Sequence, residues 1–158
     1  MQVKLEQARA LAEDLLREHG LLEWTFKFDQ AKRRFGSCRY HTKTITLSKH
    51  LTQLNAASQV RETLLHEIAH ALTPGTGHGE AWREKCEQLG IAPHRCYRAE
   101  QVEQPPPRYL LVCDRCGLQQ PRYRRSRTQA ACKRCCVKYN GGRYSEKYRL
   151  RLELYTPG

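Results

Sequence analysis

Along residues 3–19 the apolar positions Ala8, Leu11, Ala12, Leu15 and Leu16 return every three or four residues, and charged residues fill the gaps. That period predicts an amphipathic helix, which Gly20 ends. The rhythm then shortens to two. Trp24, Phe26 and Phe28 alternate with polar residues, as in a half-buried strand. Phe35 to Tyr40 and Thr42 to Leu47 give two more short strands around a turn at His41. The helical period resumes at Val60, Leu64, Leu65, Ile68, Ala69 and Leu72, with Asn55 or Ser58 as candidate cap. A further helix is predicted from Gly79 to Leu89, with Gly90 as its stop.

The pattern breaks at Pro105-Pro106-Pro107, which fits neither a helix interior nor a central strand. Residues 104–107 therefore read as a stiff linker. They separate an α+β domain over residues 1–103, helices plus a short antiparallel sheet, from a β-rich domain over residues 108–158. In the second domain short strand-like pieces such as "RYLLV" and "YRLRLEL" replace the helices, and seven of the eight tyrosines lie beyond residue 96.

The helix through Leu64 and Ile68 carries His66, Glu67 and His70. Histidines four apart project from one helix face, where two imidazoles can meet one metal ion. Glu67 sits ~100° around the axis, close to that ion without ligating it. This is the H-E-x-x-H arrangement of zinc hydrolases. A catalytic zinc takes three protein ligands and one water, so a third ligand is needed. Straight after the helix, Thr73-Pro74-Gly75-Thr76-Gly77 interrupts the chain and His78 follows. A continued helix would carry residue 78 ~12 Å along the axis from residue 70. Pro74 forbids continuation, and Gly75 and Gly77 let the backbone double back so that His78 becomes the third ligand. Trp82, one turn on, is expected to pack beneath the site, and Cys86 to be a small core residue.

Cys113 and Cys116 are separated by two residues, and Cys132 and Cys135 repeat that spacing after a gap of fifteen. Two such pairs make a four-thiolate zinc site, closed and therefore structural. Cys136 competes with Cys135 for the fourth position, and Cys135 is preferred because its spacing mirrors the first pair. Cys38 and Cys96 read as ordinary thiols. One catalytic and one structural Zn²⁺ are expected.

Charge changes the picture of the C-terminal part. Residues 1–90 hold 13 Lys/Arg against 11 Asp/Glu, whereas residues 91–158 hold 15 against 5. Such an asymmetry points to an anionic partner, most often nucleic acid. Between the cysteine pairs, Arg122, Arg124, Arg125 and Arg127 surround Tyr123, and Lys133 and Arg134 follow. Guanidinium groups suit phosphates, and a tyrosine face can stack on an unpaired base. Nucleic acid with single-stranded character is the expected partner. The N-terminus lacks the pattern of a signal peptide, and no run approaches the ~20 apolar residues of a membrane span. A cytoplasmic protein with reduced cysteines is expected, nucleoid-associated if bacterial.

"FGSCRYHTKTITLS", "ETLLHEIAHAL", "GHGEAW" and a paired C-x-x-C ribbon after a proline linker together resemble the SprT-like zinc metalloproteases. That group includes Spartan, a protease that degrades proteins crosslinked to DNA. The resemblance covers the chain from about Trp24 to Cys135. It implies a zincin-like α+β metalloprotease core joined to a DNA-binding zinc module, with His66, His70 and His78 as zinc ligands and Glu67 as catalytic acid/base. The expected function is a zinc endopeptidase activated by DNA and acting on DNA-bound or DNA-crosslinked proteins. Two alternatives stand beside it. One is a nucleic-acid-binding regulator with a structural histidine zinc; the other is a zinc peptidase independent of DNA.

Overall fold

Apolar stripes of two periods must be buried against one another, and they are. The computed structural model describes residues 4–94 and 102–157. The chain forms two compact units, Met1–Pro105 and Pro106–Gly158.

In the first unit, helix α1 (Leu5–Glu18) buries Ala8, Ala12, Leu15 and Leu16 along one stripe. Three strands follow, β1 (Thr25–Asp29), β2 (Gly36–Arg39) and β3 (Thr44–Ser48). Helices α2 (Lys49–Leu54), α3 (Ala57–Leu72) and α4 (Glu80–Gln88) complete the unit. The core joins the α1 stripe to Phe26, Phe35, Ile45, Leu47, Leu51 and the α3 residues Val60, Leu64, Leu65 and Ile68. Each fully buried aliphatic side chain of this kind stabilises the unit by about 1.5–3 kcal/mol.

The sheet order is β1-β3-β2, and this corrects the expected antiparallel sheet. β2 pairs antiparallel with β3, but β1 pairs parallel with it. The chain leaves β1, crosses to the far edge for β2, and returns through a tight turn to place β3 in the middle. Alternation fixes which side chains face the core, not which strands become neighbours. Asp29 holds the crossing segment in place: its carboxylate accepts from the Ala31 N–H at 2.9 Å, from Arg34 at 2.6 Å and from Thr46 at 2.8 Å.

The cap of α3 also differs from expectation. Asn55 ends the short helix α2 instead, and Ser48 begins it by accepting from the Leu51 N–H at 3.1 Å. The Asn55 amide bonds the Leu51 and Glu103 carbonyls, and its oxygen accepts from the Glu103 N–H. This ties the segment around Val102 to the first unit. At the start of α3 the Ala56 N–H donates to the Gln59 side chain at 3.2 Å.

The second unit holds β4 (Tyr109–Val112), β5 (Gln119–Arg122), α5 (Lys133–Asn140) and β6 (Arg151–Leu154). Its antiparallel sheet has the order β5-β4-β6. The sequence pattern did not reveal β5 or α5. β5, "QQPR", contains a proline and no aliphatic residue, and α5 carries two adjacent cysteines as its buried positions. Gly141, at φ 56°, ends α5 in the left-handed conformation. Among the described residues no helix is long and apolar enough to cross a membrane.

Candidate functional site

α3 packs its Leu64–Ile68 stripe into the core and carries His66 and His70 at its rim, where both are half-buried. The helix ends at Leu72, and the backbone then reverses. Thr73 turns its N–H onto the Ala69 and His70 carbonyls. Gly75 and Gly77 follow at φ 79° and 56°, a region L-residues rarely adopt. The reversal brings His78 back beside α3. The His70 and His78 Nε2 atoms lie 3.2 Å apart, and one ligand atom from each of His66, His70 and His78 lies within 4.8 Å of the others.

These distances suit a cation. With Zn–N bonds of ~2.0–2.1 Å, two nitrogens of a tetrahedral site are ~3.3 Å apart. Protonation favours the same conclusion. Burial, and then the neighbouring imidazoles, push His66 down to about 4. Burial and His78 do the same for His70. Both rings are thus neutral at pH 7, the form that binds a metal. Trp82 is fully buried below them. Its ring centroid lies 4.9 Å from that of His66, 5.2 Å from His70 with the rings stacked, and 4.6 Å from His78. Cys86 is buried next to it.

Glu67 turns its side chain toward β2, against Gly36, and is 7% exposed. Burial pushes its carboxyl up to about 8, while Arg34 and the Cys38 backbone N–H act in the opposite sense. β2 presses on this side chain. A methyl group on Gly36 would stand 2.8 Å from Glu67 Oε1, 2.9 Å from Glu67 Cγ and 2.9 Å from Thr63 Cγ2. At the end of the same strand, the Tyr40 hydroxyl donates to the His70 carbonyl at 2.9 Å. The sequence offers Arg39, Tyr40 and His41 only as candidate oxyanion donors, because they follow a strand expected to line the cleft, and it assigns no role to Gly36.

In the second unit, Cys113, Cys116, Cys132 and Cys135 bring their sulfurs within 4.8 Å of one another. Cys113 and Cys135 are 3.8 Å apart, and Cys116 and Cys132 3.6 Å. Zn–S bonds of ~2.3 Å place two tetrahedral sulfurs ~3.8 Å apart, so this group also fits a zinc ion. Cys136 is buried nearby but outside the group. The Leu118 backbone N–H lowers Cys116 to about 7, a start on the thiolate a metal requires. Burial raises Cys135 to about 12.

The basic residues are spread over several elements. Arg122 ends β5 and is half-buried, as is Tyr123. Arg124, Arg125 and Arg127 are exposed on the following loop. The Arg125 guanidinium lies over the Tyr109 ring, 6.0 Å from its centre. Lys133 and Arg134 are exposed on the first turn of α5. Cys96 lies outside the described residues.

The first unit is thus a mixed helix-and-sheet structure with an open imidazole cluster, and the second a small sheet-and-helix structure around four thiols. The SprT-like family profile matches residues 5–102, and the chain belongs to the SprT-like family. Germ cell nuclear acidic-1 protein of Caenorhabditis elegans is 26% identical over an alignment 143 residues long, and the match takes in 80% of this chain. The chain spans only 26% of the length of that relative. Among solved structures, the metallopeptidase zymogen jannalysin of Methanocaldococcus jannaschii matches 60% of this chain and 85% of its own, at 16% identity and a TM-score of 0.47. The zymogen abylysin of Pyrococcus abyssi matches 52% and 78%, at 19% identity and a TM-score of 0.45.

Proposed function

We propose that the chain is a zinc endopeptidase that works on proteins bound or crosslinked to DNA and is activated by DNA with single-stranded character. The observation that carries the catalytic part is the convergence of His66, His70 and His78, with the buried carboxylate of Glu67 next to His66 on the same helix and outside the imidazole group. A structural zinc has no use for such a neighbour. His66, His70 and His78 would hold a zinc ion, which would supply the Lewis acidity that activates water and polarises a peptide carbonyl.

The chain's own residues do the rest. His66 and His70 come from one helix turn, and His78 from beyond the reversal, so the three imidazoles reach the cation from two directions. Trp82 fills the space beneath them and keeps their rings in place. Glu67 takes the proton of the attacking water and returns it to the departing amide nitrogen. Its burial raises its carboxyl above the usual carboxylate range, which favours holding the proton between water and the leaving nitrogen.

The DNA part rests on charge. The excess of Lys and Arg falls in the second unit, and Arg124, Arg127, Lys133 and Arg134 are exposed there. The four cysteines would hold a structural zinc. The curated relative is named a nuclear protein, which is in keeping with a nucleic-acid setting.

The test is incubation of the zinc-loaded chain with a DNA-binding protein substrate, with and without single-stranded DNA. Cleavage that requires the DNA supports the reading. Equal cleavage without it leaves a plain peptidase, and none at all removes the enzyme.

A further inference from the structure

Helix geometry sets the Cα of Glu67 next to His66, but it does not aim the carboxylate. A glutamate has three side-chain torsions, and a base misplaced by 1 Å can cost ~10²-fold in rate. Something outside α3 has to fix it. The strand that faces Glu67 is β2. Gly36 pairs with Leu47 and Cys38 with Ile45, both core residues, so positions 36 and 38 face inward. Position 40 continues that alternation just past the strand end.

All three inward positions meet α3. Gly36 gives way to the Glu67 side chain. The Cys38 backbone lies close enough to act on its carboxylate. The Tyr40 hydroxyl holds the His70 carbonyl. Gly36 is not a glycine for conformational reasons, because it lies in ordinary extended backbone without a positive φ. Its missing side chain leaves room for Glu67 and Thr63, and nothing else calls for it. Pairing with β3 on the other side prevents the strand from backing away.

We propose that β2 is the positioning element of the site: Gly36 seats the Glu67 side chain, and Tyr40 anchors the turn of α3 that carries His70. The inference rests on the peptidase reading for the role of Glu67, but the placement of both residues is measurable without turnover. Gly36 and Tyr40 are positioning residues, since neither is argued to touch substrate.

The experiment compares Gly36→Ala, Gly36→Ala with Thr63→Ala, Tyr40→Phe and Ser37→Ala in the full chain. The double variant removes the Thr63 methyl and leaves only the conflict with Glu67, so a folded protein is available if the single one melts. Ser37 lies on the opposite face, bonded to Thr46 at 2.8 Å, and serves as control. Zinc affinity at each site is measured by chelator competition. The Glu67 carboxyl carbon is followed by NMR in metal-free protein, assigned with Glu67→Gln.

Both Gly36 variants should lose ~10²-fold in kcat with KM and zinc affinity unchanged, and should shift the Glu67 carboxyl resonance. Tyr40→Phe should weaken zinc at the histidine site ~10-fold and leave the cysteine site filled. Ser37→Ala should change neither. Gly36 variants with parental kcat and an unmoved resonance overturn the proposal, as does Tyr40→Phe with parental zinc affinity. If the parent protein cleaves nothing, the peptidase reading fails alone, and the resonance and affinity arms still decide the role of β2.

Discussion

The histidine cluster sits at the rim of a unit whose core is built without it. Three residues of the cysteine cluster, Cys113, Cys132 and Cys135, lie in the core of its own unit. In the first unit Phe26, Phe35, Ile45, Leu47, Leu51 and four α3 aliphatics are packed whether or not a cation is present. In the second, the buried cluster is Cys113, Cys132, Cys135, Cys136 and Tyr148. A metal on the first is an addition to a finished fold. A metal on the second replaces the fold's missing hydrocarbon. An open site can be spared for chemistry because its unit does not depend on it.

The strongest way to break this comparison is to remove the metal. A structural zinc held by thiolates contributes about 10–16 kcal/mol of apparent binding free energy, and that energy is folding energy. An excess of a strong chelator should therefore unfold residues 106–158. The helices of the first unit should remain. Hydrogen exchange reads both at once. Protection should vanish at Leu111 and persist at Leu64 and Ile68. A second unit that keeps its protection without metal would show that its core suffices.

The second prediction separates catalysis from metal binding within the first unit. Glu67→Gln has the same shape and leaves all three imidazoles in place. Zinc content and thermal stability should be preserved, while hydrolysis falls ~10²–10⁴-fold. A variant that cleaves at the parental rate would falsify the acid/base role.

How far the sequence leads depends on how local the information is. His66, Glu67 and His70 lie within one helical turn or so, and His78 is eight residues on, so spacing alone suggests their convergence. The paired cysteines are legible for the same reason. The partners that β2 supplies are 30 residues or more away: Gly36 lies against Glu67, and Tyr40 bonds His70. Nothing in a periodic pattern tells which strand passes over which helix turn. The parallel pairing of β1 with β3 was hidden in the same way. β5 and α5 were missed for another reason. Thiols and a sheet partner hold them, and neither leaves an apolar stripe.

The third prediction concerns the reversal that delivers His78. Gly75 and Gly77 have open space around the position of a side chain, so size is not the obstacle there. Their positive φ values are. Non-glycine residues in such a conformation cost about 1–3 kcal/mol each. Replacing both with valine should displace His78, lower zinc affinity at the histidine site by at least ~10-fold and leave the cysteine site filled. Unchanged affinity in chelator competition would mean that His78 reaches the site by another path.

The smallest effects belong to the basic residues of the second unit, and there the arginines should not be equal. Each phosphate neutralised on a single strand contributes about 0.7 to the slope of log affinity against log salt. Arg124 and Arg127 are exposed, and replacing each with glutamine should flatten the slope by about that amount if each meets a phosphate. Arg125 is committed in part to the Tyr109 ring, so Arg125→Gln should flatten it less. Tyr123→Ala should behave differently, weakening single-stranded binding by ~1–3 kcal/mol at every salt concentration if a base stacks on that ring. Titrations of a fluorescent oligonucleotide at several salt concentrations separate the two behaviours. Equal, small changes for all four variants would place the nucleic-acid contacts elsewhere in the second unit, with Lys133 and Arg134 at the start of α5 as the next residues to replace.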